Sequence, residues 1–230
     1  MINKVEICYL CGAEIVEDFS KDHIPPKQFY ATKLRRIHNP NLFTVPVHIE
    51  CNQDYQKDED YFVNSLVPLC NKTYSGSALL KDIERSIKKR PQSKRLALMI
   101  YKEFDTRPSG LILPPGVVVK RYDGKRIRNI IWKITRDLFF KEYNKVLPQA
   151  TPKLIVIINP GKKPPEYFLL LSDVDFKGDY PGVFDYKFKV LEEVNNFHFW
   201  AMLFWDNIIV FSMFHDPECN CEQCKEISFN

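Results

Sequence analysis

The sequence predicts an α+β protein with a metal-stapled N-terminal segment of short strands, a helical middle and a β-rich C-terminal part. Three observations support this prediction: paired Cys and His residues near the N-terminus, apolar residues at helical spacing in the middle, and short aromatic and β-branched runs in the last third. The chain has 230 residues, of which 45% are hydrophobic and 27% are charged. This composition is typical of a folded protein with a substantial core, and it excludes disordered and fibrous classes.

Three domains are predicted along the chain. They are an N-terminal motif at 1–66, a helical basic segment at 67–110 and an α+β domain at 111–230. The first 50 residues are interrupted by Cys-Gly and by Pro, which favours loops and short strands. Helix is predicted to begin near Asn52, a residue type that suits a helix start, and Tyr55, Phe62 and Leu66 follow at helical spacing.

The middle of the chain predicts further helices. Residues 77–103 form one or two helices, which Pro91 ends or kinks, and a Pro-rich connector covers 105–118. Asp123-Gly124 predicts a β-hairpin, and the alternative is a strand that runs directly into a helix. That helix, at 127–145, places six apolar residues along one side: Ile127, Ile130, Ile131, Ile134, Leu138 and Phe139.

Five short runs in the last third predict β-strands, because they are aromatic and β-branched and are separated by turn signals. The runs are KLIVIIN (153–159), EYFLLLS (166–172), FDYKFKVLEE (184–193), FHFWAMLFW (197–205) and NIIVFSMFH (207–215). For 197–205, a buried helix is the alternative.

The seven cysteines predict metal binding rather than disulfides. An odd number of cysteines in a cytosolic chain argues against a disulfide framework. The N-terminus lacks a signal-peptide pattern, and no apolar run reaches the roughly 18 residues of a membrane helix. We therefore expect a cytoplasmic protein with no membrane partner. Six of the seven cysteines lie in two clusters at opposite ends of the chain.

The N-terminal cluster pairs Cys8-x-x-Cys11 with His48-x-x-Cys51. Each pair has the two-residue gap of a zinc-binding turn, and three thiolates with one imidazole complete a tetrahedral structural zinc site. The metal would hold together a segment that is too polar and too Pro-broken to fold by burial alone. The alternative is reduced thiols in a core.

The C-terminal cluster has the spacing His215-x₃-Cys219-x-Cys221-x₂-Cys224. It predicts a second Cys₃His zinc site, with a flexible tail of unligated thiols as the alternative.

The net charge of +4 conceals a strongly basic middle. Residues 81–145 carry 18 Lys and Arg against 7 Asp and Glu, a net charge of +11, whereas both ends of the chain are acidic. Such asymmetry indicates a polyanionic partner, and the alternative is a solvated helix surface. The candidate nucleic-acid-binding residues are Lys88, Lys89, Arg90, Lys120, Arg121, Lys125, Arg126 and Arg128.

Three further strings accompany the zinc pairs. They are Asp22-His23-Ile24-Pro25-Pro26, Val45-Pro46-Val47-His48-Ile49-Glu50-Cys51-Asn52 and Lys57-Asp58-Glu59-Asp60-Tyr61-Phe62. Together with the Cys pair, this pattern resembles the HNH nuclease superfamily, or ββα-metal fold. The most similar branch has Asp-His in place of the first His, as in endonuclease VII-like enzymes. The resemblance covers about residues 5–65.

The resemblance implies a metal-dependent endonuclease that hydrolyses phosphodiester bonds, with DNA as the favoured substrate and phage defence or a mobile element as the context. His23 would be the general base, and Asp22 and Asn52 would hold a catalytic Mg²⁺ or Mn²⁺ beside the structural zinc. Because Asn52 follows Cys51, the zinc would also position a ligand of the catalytic ion. The C-terminal part is expected to provide substrate grip, a homodimer contact or a surface for a protein partner.

Two other classes fit parts of the sequence. A non-catalytic zinc module that binds nucleic acid needs the zinc ligands and the basic middle, but not Asp22, His23 and Asn52 together. A nuclease subunit that is active only within a larger complex would explain the large aromatic C-terminal part. Cleavage by the isolated chain would separate a free-standing enzyme from both.

Overall fold

The computed structural model describes residues 6–16, 18–38, 42–105, 108–110, 112–114, 118–158, 160, 162–178, 180, 182–194 and 196–219. Within these ranges the chain forms five α-helices and three antiparallel sheets, which confirms the α+β class. The elements in chain order are β1 (Phe19–Ile24), α1 (Thr32–His38), β2 (Phe43–His48), α2 (Ile49–Leu66), α3 (Tyr74–Lys89), α4 (Pro91–Tyr101), β3 (Phe104–Asp105), β4 (Val119–Lys120), α5 (Gly124–Tyr143), β5 (Lys153–Ile158), β6 (Phe184–Leu191), β7 (Phe197–Phe204) and β8 (Ile208–His215).

The N-terminal part contains a two-stranded sheet followed by a helix. Strand β1 pairs antiparallel with β2, with Asp22 opposite Val45. Helix α2 follows β2 without a loop and packs against both strands. It begins at Ile49, three residues before the predicted start, so Asn52 lies one turn inside the helix instead of capping it. His48 at the end of β2, and Cys51 and Asn52 at the start of α2, are therefore held on two rigid elements.

Helices α3 and α4 are separate, because the backbone is extended at Arg90 (φ −122°) and Pro91 is the first residue of α4. Proline is tolerated at that position, where its missing N–H would have no helical partner. The predicted break at Pro91 is confirmed.

The hairpin predicted at Asp123-Gly124 is wrong, and the alternative of a strand running into a helix is correct. Asp123 is the N-cap of α5: its Oδ1 accepts from the backbone N–H groups of Lys125 (3.1 Å) and Arg126 (3.2 Å). Strand β4 pairs instead with β3. The six apolar residues predicted along one side of this helix are all buried. Asp is a favoured residue both at a helix N-cap and in a hairpin turn, so Asp123 alone does not decide between them. The long apolar stripe that follows favours the helix.

The C-terminal sheet has the strand order β5-β8-β7-β6, and every neighbouring pair is antiparallel. Four of the five predicted strands are present, including 197–205. The run EYFLLLS is instead a 3₁₀-helix at Glu166–Leu171, which begins directly after Pro165 and lays Phe168 and Leu171 against Phe199 and Phe211 of the sheet. Helix α5 covers the opposite face, where Trp132 meets Phe214 edge-on at 5.5 Å.

One hydrophobic core joins the N-terminal unit to the C-terminal sheet. Phe29 stacks on Phe62 with ring centroids 5.3 Å apart, and both rings contact Phe204 and Trp205. The Trp205 indole N–H donates to the carbonyl of Phe29 (3.0 Å). The core of the described residues thus continues across the domain boundaries predicted at 66/67 and 110/111. Among these residues, no helix combines the length and apolar composition needed to cross a membrane.

Candidate metal centre and adjoining pocket

Cys8, Cys11, His48 and Cys51 converge at one point, as their spacing predicts. Their ligand atoms all lie within 4.8 Å of one another, so this cluster can hold a metal ion such as zinc. The first pair sits on a tight turn in which the N–H of Gly12 donates to the carbonyl of Cys8 (2.7 Å). Gly12 has φ +80°, a left-handed conformation that glycine adopts without strain.

His48 presents Nδ1 to the cluster. Its Nε2 lies 3.2 Å from the carbonyl of Glu14, which can only accept, so Nε2 carries the hydrogen and Nδ1 has the lone pair. Nδ1 lies 3.3 Å from the Cys11 sulfur and 4.0 Å from the Cys51 sulfur. The contact between Nε2 and the Glu14 carbonyl fixes the tautomer and the ring orientation that a metal-binding imidazole requires.

Burial of Cys51 and the neighbouring Cys8 and Cys11 raise the pKa of the Cys51 thiol to about 12. Three thiols this close together cannot all ionise without a compensating cation. A dication deprotonates coordinating thiols, so the arrangement fits the soft, tetrahedral donor set of zinc.

The C-terminal cluster is only partly described. The Cys219 sulfur lies 3.5 Å from Nδ1 of His215, whereas Cys221 and Cys224 lie outside the described residues. Within the described part of the chain, the N-terminal cluster is the one group of three or more His, Cys, Asp or Glu with metal-binding geometry. The second zinc site remains a prediction.

A pocket of ≈340 Å³ lies between β1 and α2, beside the metal centre. Strand β1 and the residues after it contribute Lys21, Asp22, His23, Lys27 and Gln28. Helix α2 contributes Asn52, Gln56, Glu59 and Asp60, whose spacing places them on one helical face. The pocket therefore brings together the three residues expected to form the catalytic site.

His23 is half-buried, and no hydrogen-bond partner for its ring is found among the described residues. Burial of the imidazole and then the positive charge of Lys27 lower its pKa below the ordinary value, against the opposing negative charge of Asp22. This shift favours the neutral ring, which has a lone pair on one nitrogen. Lys21 and Lys27 are exposed in the same pocket, with no acidic partner among the described residues.

Asp22 has a different environment from the expected one. It is 5% exposed, and its Oδ2 accepts from the Tyr9 hydroxyl (2.5 Å) and from the ammonium of Lys133 (2.7 Å). Its Oδ1 accepts from the backbone N–H of His23 (3.0 Å). The carboxylate expected to hold a divalent ion is thus the centre of a buried ion pair.

Lys133 comes from α5 and is fully buried between two carboxylates. Its Nζ also lies 2.6 Å from Oε1 of Glu59, whose Oε2 accepts from Gln28 (2.9 Å). Burial alone would lower the pKa of Lys133, but the negative charges of Asp22, Asp137 and Glu59 raise it, so the group stays an ammonium. Burial, and next the charge of Asp22, raise the pKa of Asp137 well above its ordinary value.

Sequence reasoning missed this network, although one signal was present. Lys133 stands within the apolar stripe of α5, between Ile131 and Ile134, and a lysine on a buried face requires an acidic partner. The sequence does not identify that partner as Asp22 and Glu59.

Asn52 reaches the pocket from the first turns of α2. Its Nδ2 donates to the Ser20 hydroxyl (3.1 Å), and within the described residues no donor bonds its Oδ1. The amide nitrogen is thus held in place, and the amide oxygen remains an oxygen ligand.

A divalent ion between Asp22 and Asn52 does not fit the residues as they lie. Each oxygen of Asp22 accepts a hydrogen bond, and Lys133 already neutralises its charge at 2.7 Å. A cation bound to Oδ2 would face that ammonium in a buried site, where like charges repel strongly.

The basic residues predicted to bind nucleic acid occupy two kinds of position. Five side chains are exposed with no ion-pair partner in the described part of the chain: Lys88, Lys89, Arg90, Lys125 and Arg128. Arg121 pairs with Asp105 (2.9 Å), and Arg126 pairs with Asp58 (2.7 Å).

Lys120 is placed differently from the prediction. Its side chain is 9% exposed, and its Nζ donates to the carbonyl of Ser65 (3.1 Å) and lies 3.7 Å from Glu103. The Lys120 ammonium is therefore occupied by contacts within the protein that hold β4 against α2.

No protein-family model, curated protein or solved structure matches this chain.

Proposed function

We propose that this protein is an endonuclease that hydrolyses phosphodiester bonds of nucleic acid in the pocket between β1 and α2. The observation that carries the proposal is His23: a neutral, partner-free imidazole beside two exposed lysines. The order of β1, β2 and α2, with a Cys₃His cluster at their ends, fits the resemblance to the HNH superfamily. DNA is the favoured substrate, and phage defence or a mobile element is the proposed context.

The chemistry follows from the groups in the pocket. The imidazole of His23 takes a proton from a water molecule, whose oxygen attacks phosphorus while the bond from phosphorus to the 3′-oxygen breaks. The leaving oxygen takes up a proton from solvent. Lys21 and Lys27 lie where they can neutralise the charge that develops on the phosphoryl oxygens.

Zinc, when bound to Cys8, Cys11, His48 and Cys51, supplies a structural crosslink and no reacting group. Because Cys51 belongs to the first turn of α2, this crosslink fixes the turn that carries Asn52. The metal centre therefore sets the position of α2 against β1, and with it the width of the pocket.

The expected Mg²⁺ or Mn²⁺ at Asp22 and Asn52 would require Lys133 to release Asp22. In the arrangement described, Asp22 acts through its neighbours. It holds Lys133 and the backbone N–H of His23, and so positions the strand that carries the imidazole.

The proposal is tested by cleavage of labelled single-stranded and duplex DNA and RNA, with Mg²⁺, with Mn²⁺ and with neither. We expect cleavage by the wild type on at least one substrate, and a loss of about 10²-fold or more in His23→Ala, as for removal of a general base. Lys145→Ala, an exposed lysine outside the pocket, is the control. His23→Ala that cleaves at the wild-type rate, with the same zinc content, would refute the proposal.

A non-catalytic zinc module that binds nucleic acid is the second candidate function. The observation that favours it is the ion pair of Asp22 with Lys133, which occupies the carboxylate that was expected to hold the catalytic metal ion. It predicts nucleic-acid binding without cleavage under any divalent ion. A nuclease subunit that requires a partner predicts the same for the isolated chain, and cleavage once the partner is added.

A further inference from the structure

A groove of ≈910 Å³ opens next to the His23 pocket and is bounded by α1, α2, α3 and α4. The groove and the pocket share Gln28 and Asp60 in their linings, so the two adjoin. Its volume lies at the upper end of the roughly 300–1,000 Å³ of ligand pockets. The groove is therefore large enough for an extended ligand that ends at His23.

The groove is strongly positive. Six cationic side chains line it against two carboxylates, Asp60 and Asp82. The cations are Arg35, Lys57, Arg85, Lys89, Arg90 and Arg126. Arg85 and Arg126 pair with acidic residues, whereas the other four make no ion pair within the described residues. Such a surface is complementary to a chain of phosphates.

Part of the groove's lining is aliphatic, and we call this part its floor. It includes Val63 of α2, Ile83 of α3, and Leu96 and Met99 of α4. A duplex keeps its bases stacked inside and offers mainly phosphates and groove edges, so it would leave this floor uncovered. A single strand can turn its bases inwards onto apolar side chains while its phosphates meet the cations on the rim.

We propose that this groove binds single-stranded nucleic acid and delivers the strand to His23. The phosphates contact Arg35, Lys57, Lys89 and Arg90, and the bases lie on the aliphatic floor. The inference rests on the proposed function, which it deepens by naming an unpaired strand as the substrate. It also assigns phosphate contacts to Arg35 and Lys57, which lie outside the basic middle at 81–145.

The test measures binding without cleavage, by fluorescence anisotropy of labelled oligonucleotides on the full chain carrying His23→Ala. We expect single strands to bind about tenfold more tightly than the duplex of the same sequence. Lys89→Glu and Lys81→Glu form a matched pair, because both lysines are exposed on α3 and only Lys89 lines the groove. Near physiological salt, where charges are screened beyond roughly 8 Å, Lys89→Glu should weaken binding about tenfold and Lys81→Glu less than twofold.

Three results would overturn the inference: equal or tighter binding of duplex, equal effects of the two substitutions, or equally effective competition by poly-glutamate. The last result would identify the groove as a site for an acidic peptide. Because the assay needs no cleavage, it separates the two proposals. Binding without cleavage by the wild type refutes the nuclease alone, and cleavage with duplex preference refutes the groove alone.

Discussion

Replacing Lys133 by Met removes the buried ammonium at the centre of the network and keeps a side chain of similar length. In the wild type, Nζ lies 2.7 Å from Asp22 and 2.6 Å from Glu59, and Lys133 has no exposed surface. The substitution leaves two nearly buried carboxylates, 5% and 9% exposed, without their counter-charge.

The expected cost follows from that burial. Breaking a buried ion pair by removing one partner typically costs about 3–5 kcal/mol, because an uncompensated charge remains in the interior. Domains of this kind have a total stability of about 5–15 kcal/mol, so Lys133→Met should remove a large fraction of it.

The effect should also depend on pH. Burial already raises the folded-state pKa of Glu59, and the charge of Lys133 opposes that rise, so the pKa of Glu59 rises further without Lys133. A group with a raised folded-state pKa favours folding at low pH and loses that contribution as the pH rises. The gap in unfolding free energy between wild type and Lys133→Met should therefore narrow from pH 7 to pH 5.

The assay is urea unfolding at pH 7 and pH 5 with zinc saturating. Lys189→Met is the matched control, because Lys189 also lies 2.7 Å from an aspartate, Asp173, but on the surface. This control should lose far less stability, since an exposed ion pair is screened by water. Equal losses of unfolding free energy in Lys133→Met and Lys189→Met, or a gap that widens at pH 5, would contradict this prediction.

Three further predictions concern other parts of the molecule. If His23 is the base, kcat/KM should fall on the acid side with a midpoint below the roughly 6.5 of an ordinary imidazole, and a midpoint above 7 in a pH–rate profile would contradict that role. Cys11→Ala should lower the zinc bound at the N-terminal cluster, measured by atomic absorption, whereas Cys70→Ala, a buried thiol outside the cluster, should not. Asp123→Ala should destabilise the protein by about 1 kcal/mol in urea unfolding through loss of the α5 cap, and no measurable change would contradict it.

Local spacing predicted the parts of the structure that depend on near neighbours. The two-residue gaps of the Cys and His pairs predicted the metal cluster, and the apolar period of α5 predicted its buried face. The β-branched and aromatic runs predicted four strands of the C-terminal sheet. In each case the sequence signal lies within a few residues, although the two metal-binding pairs meet across 37 positions.

Where two local interpretations competed, distant packing decided between them. Asp123-Gly124 suits a hairpin turn or a helix cap, and the burial of the stripe that follows favours the cap. EYFLLLS has the composition of a strand, but it follows Pro165 and packs as a 3₁₀-helix on the face of the sheet. Composition does not distinguish an apolar run within a sheet from one that covers it.

In the candidate site too, local sequence patterns predicted some contacts, and distant packing decided the others. Asp22, His23 and Asn52, the three residues that the resemblance groups together, line one pocket. The partner of Asp22 comes from α5, and Lys133 is 74 positions from Glu59, the other carboxylate that it contacts. The pairing of Lys133 with Asp22 and Glu59 depends on how α5 packs against α2, which cannot be predicted from the spacing of residues in the sequence.

The most direct test of the proposed chemistry is the rescue of His23→Gly by imidazole. His23 is half-buried in a pocket that opens to solvent, so free imidazole can enter the space that the side chain leaves. We expect His23→Gly to lose phosphodiester cleavage and to regain it in proportion to the unprotonated imidazole added. Cleavage by His23→Gly at the wild-type rate without imidazole would contradict it.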